Sequence, residues 1–412
     1  MSQVGENRGR LPGEPLLLAE LAIRGVTLRN RIVVSPMCMY SAKDGRANEF
    51  HLVHVGRFAL GGAGAVILEA TAVESRGRIS HGDLGIWNDD QADALRPIAR
   101  FLSAHGAVPG IQLAHAGRRA STSAPWYGLA PLTEFDSALG RAPWPVVGPT
   151  ALKAGEGWPV PDELTEDEIL SSIDAWASAA TRAVDAGFRI IELHGAHGYL
   201  LHSFLSPISN QRNDGWGGSP EARARYALSV VRAVRRSIPA DIPIFYRLSA
   251  VDAVPGGLEL PETILFARDL VKAGVDLVDV SSGGIVADGA ASATTERSIR
   301  RGYSFHAPFS AKIRDGLDEG LVGTVGLIVS GPQAESILRA GQADVINVGR
   351  EFLNDPNWGH HAAEQLRGRD YAHWAPQSGW WLNKRRGLLE RLEAQGADPV
   401  RGLDQVGRNI HE

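Results

Sequence analysis

Short runs of β-branched and aliphatic residues recur along the chain, ending in Gly, Ser, His or Arg, and each is followed by an amphipathic stretch of helical length. The runs predict strands at 31–35, 65–70, 108–114, 189–194, 243–249, 275–281, 325–330 and 344–349. Helical periodicity lies near 50–61, 89–105, 165–186, 219–236, 261–273, 308–319, 332–341 and 355–367. Several of these begin with helix starts such as Leu164-Thr165-Glu166-Asp167-Glu168 and Asp355-Pro356. Strict alternation of strand and helix marks a parallel sheet, and eight such units predict an α/β fold, a closed (β/α)8 TIM barrel rather than an open doubly wound sheet. The segments 115–163 and 282–307 are long, rich in Gly, Pro, Ser or Trp, and both follow strands. Loops after strands form the active-site face of a barrel, so these enlarged βα loops are expected to cap a pocket. No low-complexity linker or repeat divides the chain. The expected organisation is a flexible arm over 1–15, one barrel over 16–370 and an extension over 371–412, whose charged, Leu-spaced stretch from Lys384 reads as a surface helix.

With 412 residues, 44% of them apolar, the chain can bury a large core. Its net charge of −5, with both signs interspersed, offers no basic face for nucleic acid and no polybasic stripe for a membrane, which leaves a small molecule as the expected partner. The single cysteine, Cys38, cannot form an internal disulfide or a four-thiolate cluster and points to a reducing compartment, with the cytoplasm as the default. No signal peptide or membrane span is expected, because no stretch approaches the roughly eighteen apolar residues a span requires.

Candidate chemistry sits at the strand ends. The seventh and eighth predicted strands run into Ser330-Gly331-Pro332 and Val348-Gly349-Arg350. Glycines before helix starts let backbone N–H groups approach a phosphate, and Arg350 adds a cation, so Gly331, Gly349 and Arg350 read as a phosphate site rather than as ordinary helix starts. In the fifth strand, alternation turns Phe245, Arg247 and Ser249 into the barrel and Ile244, Tyr246 and Leu248 toward the helices. A buried guanidinium needs an anion. An internal carboxylate such as Glu69 or Glu192 serves as well here as an anionic cofactor. At the end of the fourth strand, Gly195 and Gly198 relax the extended path so that His194, His197 and Tyr199 converge on the barrel mouth. Two histidines suggest a metal, but no third ligand stands at familiar spacing, so metal is disfavoured. Single histidines are often structural; two with a tyrosine at a strand end fit better as two donors that polarise an oxygen and a phenol that gives a proton. The glycines of Gly61-Gly62-Ala63-Gly64 follow a helix and precede a strand, the reverse of a dinucleotide loop, and read as a helix stop.

The exit of the first strand, Asn30-Arg31-Ile32-Val33-Val34-Ser35-Pro36-Met37-Cys38-Met39-Tyr40-Ser41, resembles the opening motif of the Old Yellow Enzyme family, in its thermophilic-like subclass that includes xenobiotic reductases. Further motifs resemble the family in the same order: Leu68 to Ala72, Gln112 to Arg118, His194 to Tyr199, Ser206 to Arg212 with Gly217-Gly218, and Val348-Gly349-Arg350. The resemblance implies FMN held by Ser35, Pro36, Met37 and Cys38 along one edge and by Ala70 and Gln112 at the pyrimidine side. It further implies Arg247 near flavin N1, and Gly331, Gly349 and Arg350 at the phosphate. It implies an ene-reductase in which NADPH or NADH reduces the flavin, hydride then passes to the β-carbon of an activated alkene, His194 and His197 bind the carbonyl or nitro oxygen, and Tyr199 protonates the α-carbon. Tyr40 lines the same pocket, Cys38 lies beside the flavin, and a homo-oligomer is expected. Many relatives end in an aromatic or Arg-bearing segment that reaches a partner's site; here Tyr371-Ala372-His373-Trp374 leads to Ser378-Gly379-Trp380-Trp381 and some thirty further residues. Trp374 reads equally as such a pocket residue or as a tryptophan buried against the outer helices. The loop 282–307, with Arg297, Arg300 and Arg301, has no counterpart and is expected to shape substrate choice. The readings from other classes are a metal-dependent barrel hydrolase using His194 and His197, and a flavin-binding redox sensor acting through Cys38.

Overall fold

Eight parallel strands close into a barrel: β1 (Ile32–Val34), β2 (Ala65–Ala72), β3 (Val108–Ala114), β4 (Ile190–Gly195), β5 (Ile244–Ser249), β6 (Leu277–Ser281), β7 (Leu321–Thr324) and β8 (Val345–Val348). Neighbours in sequence are neighbours in space, and β1 closes the ring by pairing with both β8 (Ile32 opposite Ile346) and β2 (Val33 opposite Ala65). The computed structural model describes residues 13–286, 299–368 and 371–400. Outside the barrel lie α1 (Glu49–Leu60), α2 (Asp89–Ala104), α3 (Glu166–Asp185), α4 (Pro220–Ser237), α5 (Leu260–Ala273), α6 (Ala307–Gly316), α7 (Gly331–Arg339) and α8 (Trp358–Arg367). Their starts follow from local chemistry: Asn48, Asn88, Thr165, Ser219 and Ser330 each accept a backbone N–H from the first turn.

Period-2 alternation splits the apolar residues into two cores. Outward residues such as Val34, Leu68, Leu193, Tyr246 and Val280 pack under the helices. The inward residues Val33, Ala65, Ile67, Ile190, Phe245, Leu277 and Val345 form a second core at the strands' N-terminal ends. That core is plugged by an antiparallel hairpin, Leu21–Ile23 with Val26–Leu28, whose Leu21, Ile23, Val26 and Leu28 side chains are buried there. The hairpin was not among the predicted strands, because three-residue strands fall below the length at which periodicity is readable.

The seventh strand is the main departure from the sequence reading. It forms at Leu321–Thr324, and the predicted run 325–330 is loop. Register explains the shift: Leu321, Val322 and Gly323 lie opposite Leu277, Val278 and Asp279, whereas Gly326 at φ 119° and Leu327 at φ 50° turn the chain out of extension. Leu327 and Val329 stay partly exposed in consequence. The C-terminal helix, Pro376–Ala394, begins eight residues before the predicted Lys384. Of the arm 1–15, residues 1–12 lie outside the described residues, as does Arg297 with 287–298 of the second long loop. No described helix is long and apolar enough to cross a membrane.

Gly61 to Gly64 end α1 as expected, and the space they leave is used. A Cβ on Gly61 would collide with the backbone oxygen of Pro356, just before α8, and one on Gly64 with that of Asn30. Gly61→Ala is therefore expected to lower stability by about 1–3 kcal/mol, whereas Gly302→Ala, which meets open space, stays within about 0.5 kcal/mol. Urea unfolding followed by circular dichroism measures both; equal midpoints would contradict the contact between α1 and α8.

Candidate active site

Above the apolar plug, the same inward alternation places a ring of polar side chains across the barrel: Glu69, Gln112, Glu192, Arg247, Asp279 and Asn347, all buried. Gln112 Nε2 donates to Glu192 Oε1 at 2.7 Å, and Asn347 Nδ2 donates to Asp279 Oδ1 at 2.6 Å. Arg247 Nε lies 3.5 Å from Asp279 Oδ2, an ionic contact without hydrogen-bond geometry, so both atoms are left unbonded. The partner of Arg247 within the protein is thus Asp279, with Glu192 close enough to be felt electrostatically; Glu69 is not its partner. Asp279 was readable in Leu277-Val278-Asp279-Val280-Ser281 by the alternation that found Arg247. Burial pushes both Glu192 and Asp279 up, and Arg247 opposes the push on each.

At the strands' C-terminal ends the three predicted pocket residues converge. The His194 ring lies edge-on to those of His197 at 5.2 Å and Tyr199 at 4.8 Å. Gly198, at φ 75°, supplies part of the turn, but His197 itself, at φ 60°, supplies the rest. Gly195 has a different purpose, since it remains in β4 and a Cβ there would collide with the Tyr246 ring. His194 Nδ1 accepts from the Ala196 N–H at 3.3 Å, which leaves its proton on Nε2. His197 Nε2 meets Ser281 Oγ at 2.7 Å, and its backbone N–H donates to Ser249 Oγ at 3.2 Å. With Ser281 donating, the His197 proton sits on Nδ1. Burial first, then the charge of Arg247, holds both imidazoles well below their ordinary value and therefore neutral. His194 keeps one N–H to give without carrying charge, and His197 does so in the tautomer in which Ser281 donates to it.

Two residues absent from the sequence reading fix this turn. His202 Nδ1 accepts the Gly198 N–H at 2.9 Å, and its Nε2 lies 2.8 Å from Asp252 Oδ1, both side chains being fully buried. Asp252 also accepts from Ser206 Oγ at 2.6 Å and from the Leu258 N–H at 2.8 Å. Burial works to raise the Asp252 carboxyl, but His202 and these donors outweigh it and hold it low. Neither residue belongs to a strand, so alternation could not reveal them.

Tyr40 and Cys38 share an apolar cluster with Tyr199, Ile79, Ala116 and Val146, and the Tyr40 ring meets Trp126 of the first long loop at 5.8 Å. Burial, with the neighbouring Asp83 and Glu69, raises the Cys38 thiol well above its ordinary value; the Ala70 backbone pulls weakly the other way. Burial raises the Tyr199 phenol as well. Trp374 is not brought to this cluster. Its indole stacks on His360 of α8 at 4.4 Å and donates to Glu364 Oε1 at 3.1 Å, so it covers an outer helix.

The residues fit an FMN. Ser35 Oγ and Arg247 Nε are buried donors without partners at the ends of β1 and β5, facing the same interior. Gly349 begins the short helix Arg350–Asn354, and a Cβ there would meet nothing nearer than the Met37 sulfur at 3.5 Å, so no protein backbone claims its approach. Arg350 is exposed and free to reach an anion. Gly331 is constrained differently, because a Cβ would lie 2.6 Å from Ala362 O, and its N–H already donates to Gln365 Oε1 at 2.7 Å. Among the described residues no three His, Cys, Asp or Glu side chains are grouped to hold a metal ion.

The segment Pro36–Tyr40 is anchored from below by Glu69, whose Oε2 accepts the Met39 N–H at 2.9 Å. Burial, reinforced by Asp83, raises Glu69 from an ordinary 4.5 to about 8. Burial also lowers His51, so the 3.8 Å contact between His51 and Glu69 joins two neutral groups near pH 7. The folded chain therefore keeps a proton that the unfolded chain releases above about 4.5; this stability is complete below that pH and lost as pH rises through about 8. Glu69→Gln, which keeps an acceptor for Met39, is expected to gain on the wild type by roughly 1–3 kcal/mol between pH 6 and pH 9. Thermal unfolding at the two pH values checks this, and a pH-independent difference would count against a protonated Glu69.

Comparison with known proteins covers most of the chain. A family model described as the NADH:flavin oxidoreductase / NADH oxidase family matches residues 17–368. An NADPH dehydrogenase of Geobacillus sp. (strain WCH70) is 43% identical over 355 residues, covering 86% of this chain and 95% of the relative. One from Listeria innocua serovar 6a is 44% identical over 352 residues, covering 85% and 95%. Among solved structures, morphinone reductase superposes with a TM-score of 0.68 at 24% identity, covering 85% of this chain and 90% of the other. At that identity it speaks for the barrel alone.

Proposed function

Because the chain belongs to the NADH:flavin oxidoreductase / NADH oxidase family, that is, the Old Yellow Enzyme family of NAD(P)H-dependent FMN oxidoreductases, we propose that it is an ene-reductase for α,β-unsaturated carbonyl or nitro compounds. The observation that carries this reading is the convergence of two neutral imidazoles and one phenol at the barrel mouth. In this reading Ser35, Pro36, Met37 and Cys38 lie along one edge of the FMN, Ala70 and Gln112 face its pyrimidine side, Arg247 sits at N1, and Gly331, Gly349 and Arg350 hold the phosphate. For Gly331 the phosphate has to displace the Gln365 carboxamide from its N–H. When bound, FMN would supply the hydride transfer from NAD(P)H to the acceptor.

The protein's own groups supply the rest. His194 Nε2–H and His197 Nδ1–H donate to the acceptor's oxygen, drawing electron density from the double bond toward it. Neutral donors suit this task, since they polarise the oxygen without delivering their proton to it. Tyr199 gives its proton to the α-carbon: its O–H bond breaks as a C–H bond forms. Burial keeps the phenol protonated throughout the neutral and mildly alkaline range, so the acid is always loaded. Tyr40 closes the pocket beside it. A thiol held protonated by burial, Asp83 and Glu69 is a poor nucleophile, which favours turnover over redox sensing by Cys38.

Stopped-flow mixing separates the half-reactions. In Tyr199→Phe, reduction by NADPH should keep its wild-type rate, while reoxidation by 2-cyclohexenone slows by about 10²–10⁴-fold. Equal loss in both would contradict the proton-donor role.

A further inference from the structure

Arg119 ends the short turn Gly117–Arg119 that follows β3. The turn's path is forced: Gly117 sits at φ 57°, and a Cβ on it would lie 3.1 Å from the Leu200 backbone. The Arg119 Nη1 donates to two backbone oxygens, those of His197 at 2.7 Å and of Gly284 at 2.6 Å. One side chain thereby ties the loop after β4 to the loop after β6. Those loops already touch glycine to glycine, since a Cβ on Gly284 would lie 2.6 Å from His197 Cα and one on Gly198 would strike Gly284 O. The guanidinium is thus held in place by backbone on both sides.

The described residues around it supply no counter-ion. The guanidinium carbon lies 5.8 Å from the Trp158 ring and 5.9 Å from the Tyr199 ring. Trp158 comes from the first long loop, so the enlarged loop supplies one wall of this slot. No carboxylate within the described residues forms an ion pair with Arg119; burial works to lower its guanidinium, and the nearby phenols of Tyr199 and Tyr40 oppose that. The neighbouring Arg118 contributes a second buried cation, whose Nη atoms go to the oxygens of Leu152, Lys153 and Ile285. Carbonyls and aromatic faces only partly offset the burial of such a charge, which leaves a cation fixed beside the phenol. Around Tyr199, burial, Cys38 and Asp83 all oppose a negative phenol, and Arg119 favours one.

We propose that Arg119 is a positioning residue for proton transfer, a fixed cation that stabilises the phenolate left on Tyr199 when its proton moves to the acceptor's α-carbon. The inference rests on the reading of Tyr199 as proton donor. The step balances: hydride arrives at the β-carbon from NAD(P)H by way of FMN, the phenol's proton forms the α C–H bond, and the phenolate then recovers a proton from water. Without the nearby cation a buried anion would form in an apolar cluster, at a cost that slows the transfer.

The test compares two acceptors on the FMN-loaded, NADPH-reduced protein. Reduction of 2-cyclohexenone requires a proton on carbon, whereas reduction of menadione places protons on oxygens that water can supply. Arg119→Gln, which keeps a donor for the His197 and Gly284 oxygens but removes the charge, is expected to slow reoxidation by cyclohexenone about tenfold. Menadione reoxidation and NADPH reduction should keep their wild-type rates. Arg119→Lys should restore most of the enone rate. In Tyr199→Phe the same Arg119→Gln change should have no further effect, because no phenolate forms there. If Arg119→Gln does not fold, Arg119→Met is read in its place. Equal slowing with both acceptors, or an undiminished effect in the Tyr199→Phe background, overturns the inference while leaving the proton-donor reading standing. Tyr199→Phe that reduces cyclohexenone at the wild-type rate overturns both.

Discussion

A guanidinium inside a closed barrel has to be matched by the residues around it, and Arg247 imposes that condition on four other strands. Asp279 from β6 faces it, Asn347 from β8 holds the other oxygen of Asp279, and Glu192 of β4, tied to Gln112 of β3, completes the ring. Two carboxylates against one cation would leave excess negative charge, and burial resolves this by pushing the carboxyls toward their neutral forms. The arrangement also needs a dry floor. The hairpin at residues 21–28 and the inward Phe245, Leu277 and Val345 supply it, so that the polar ring opens in one direction only, toward the strands' C-terminal ends. There burial, aided by the positive field of Arg247, keeps His194 and His197 neutral, which makes them donors rather than acids.

The loops at that end are shaped by close backbone approach more than by side-chain packing. His197 and Tyr40 both hold the left-handed backbone conformation, which is costly for residues with a Cβ, and both line the pocket. Ser249 and Ser281 at the tips of β5 and β6 hold the His197 backbone and ring, His202 with Asp252 holds the Gly198 N–H, and Arg119 crosses from this turn to Gly284. Tyr199 is thus aimed by a turn fixed from three sides. Such fixing is what a proton donor needs, because a misplaced acid loses most of its advantage.

Alternation made much of this legible beforehand. It placed seven of the eight strands to within two residues and turned Arg247 inward, while the glycines after the fourth strand, not alternation, pointed to His194, His197 and Tyr199 meeting at one mouth. The strand at Leu321–Thr324 escaped because Gly323 breaks an already short run, while the more apolar 325–330 beside it drew the reading one element onward. Asp279 followed from the same rule as Arg247 and needed only its application to the next strand. His202, Asp252 and Arg119 could not be found that way, since their partners are backbone atoms or residues on other loops, brought close only by the folded turn. Trp374 had two readings of equal weight from sequence; within one chain its indole stacks on His360 of α8, away from the His194 cluster.

In the proposed reaction this pocket delivers a proton to carbon, with the hydride supplied through bound FMN. A single turnover of NADPH-reduced protein with 2-cyclohexenone in D2O, with the ketone extracted at once and read by mass spectrometry and NMR, tests it most directly. The expected product is cyclohexanone carrying one solvent deuterium at the α-carbon. Reoxidation by quinones or oxygen with cyclohexenone recovered unchanged would contradict it.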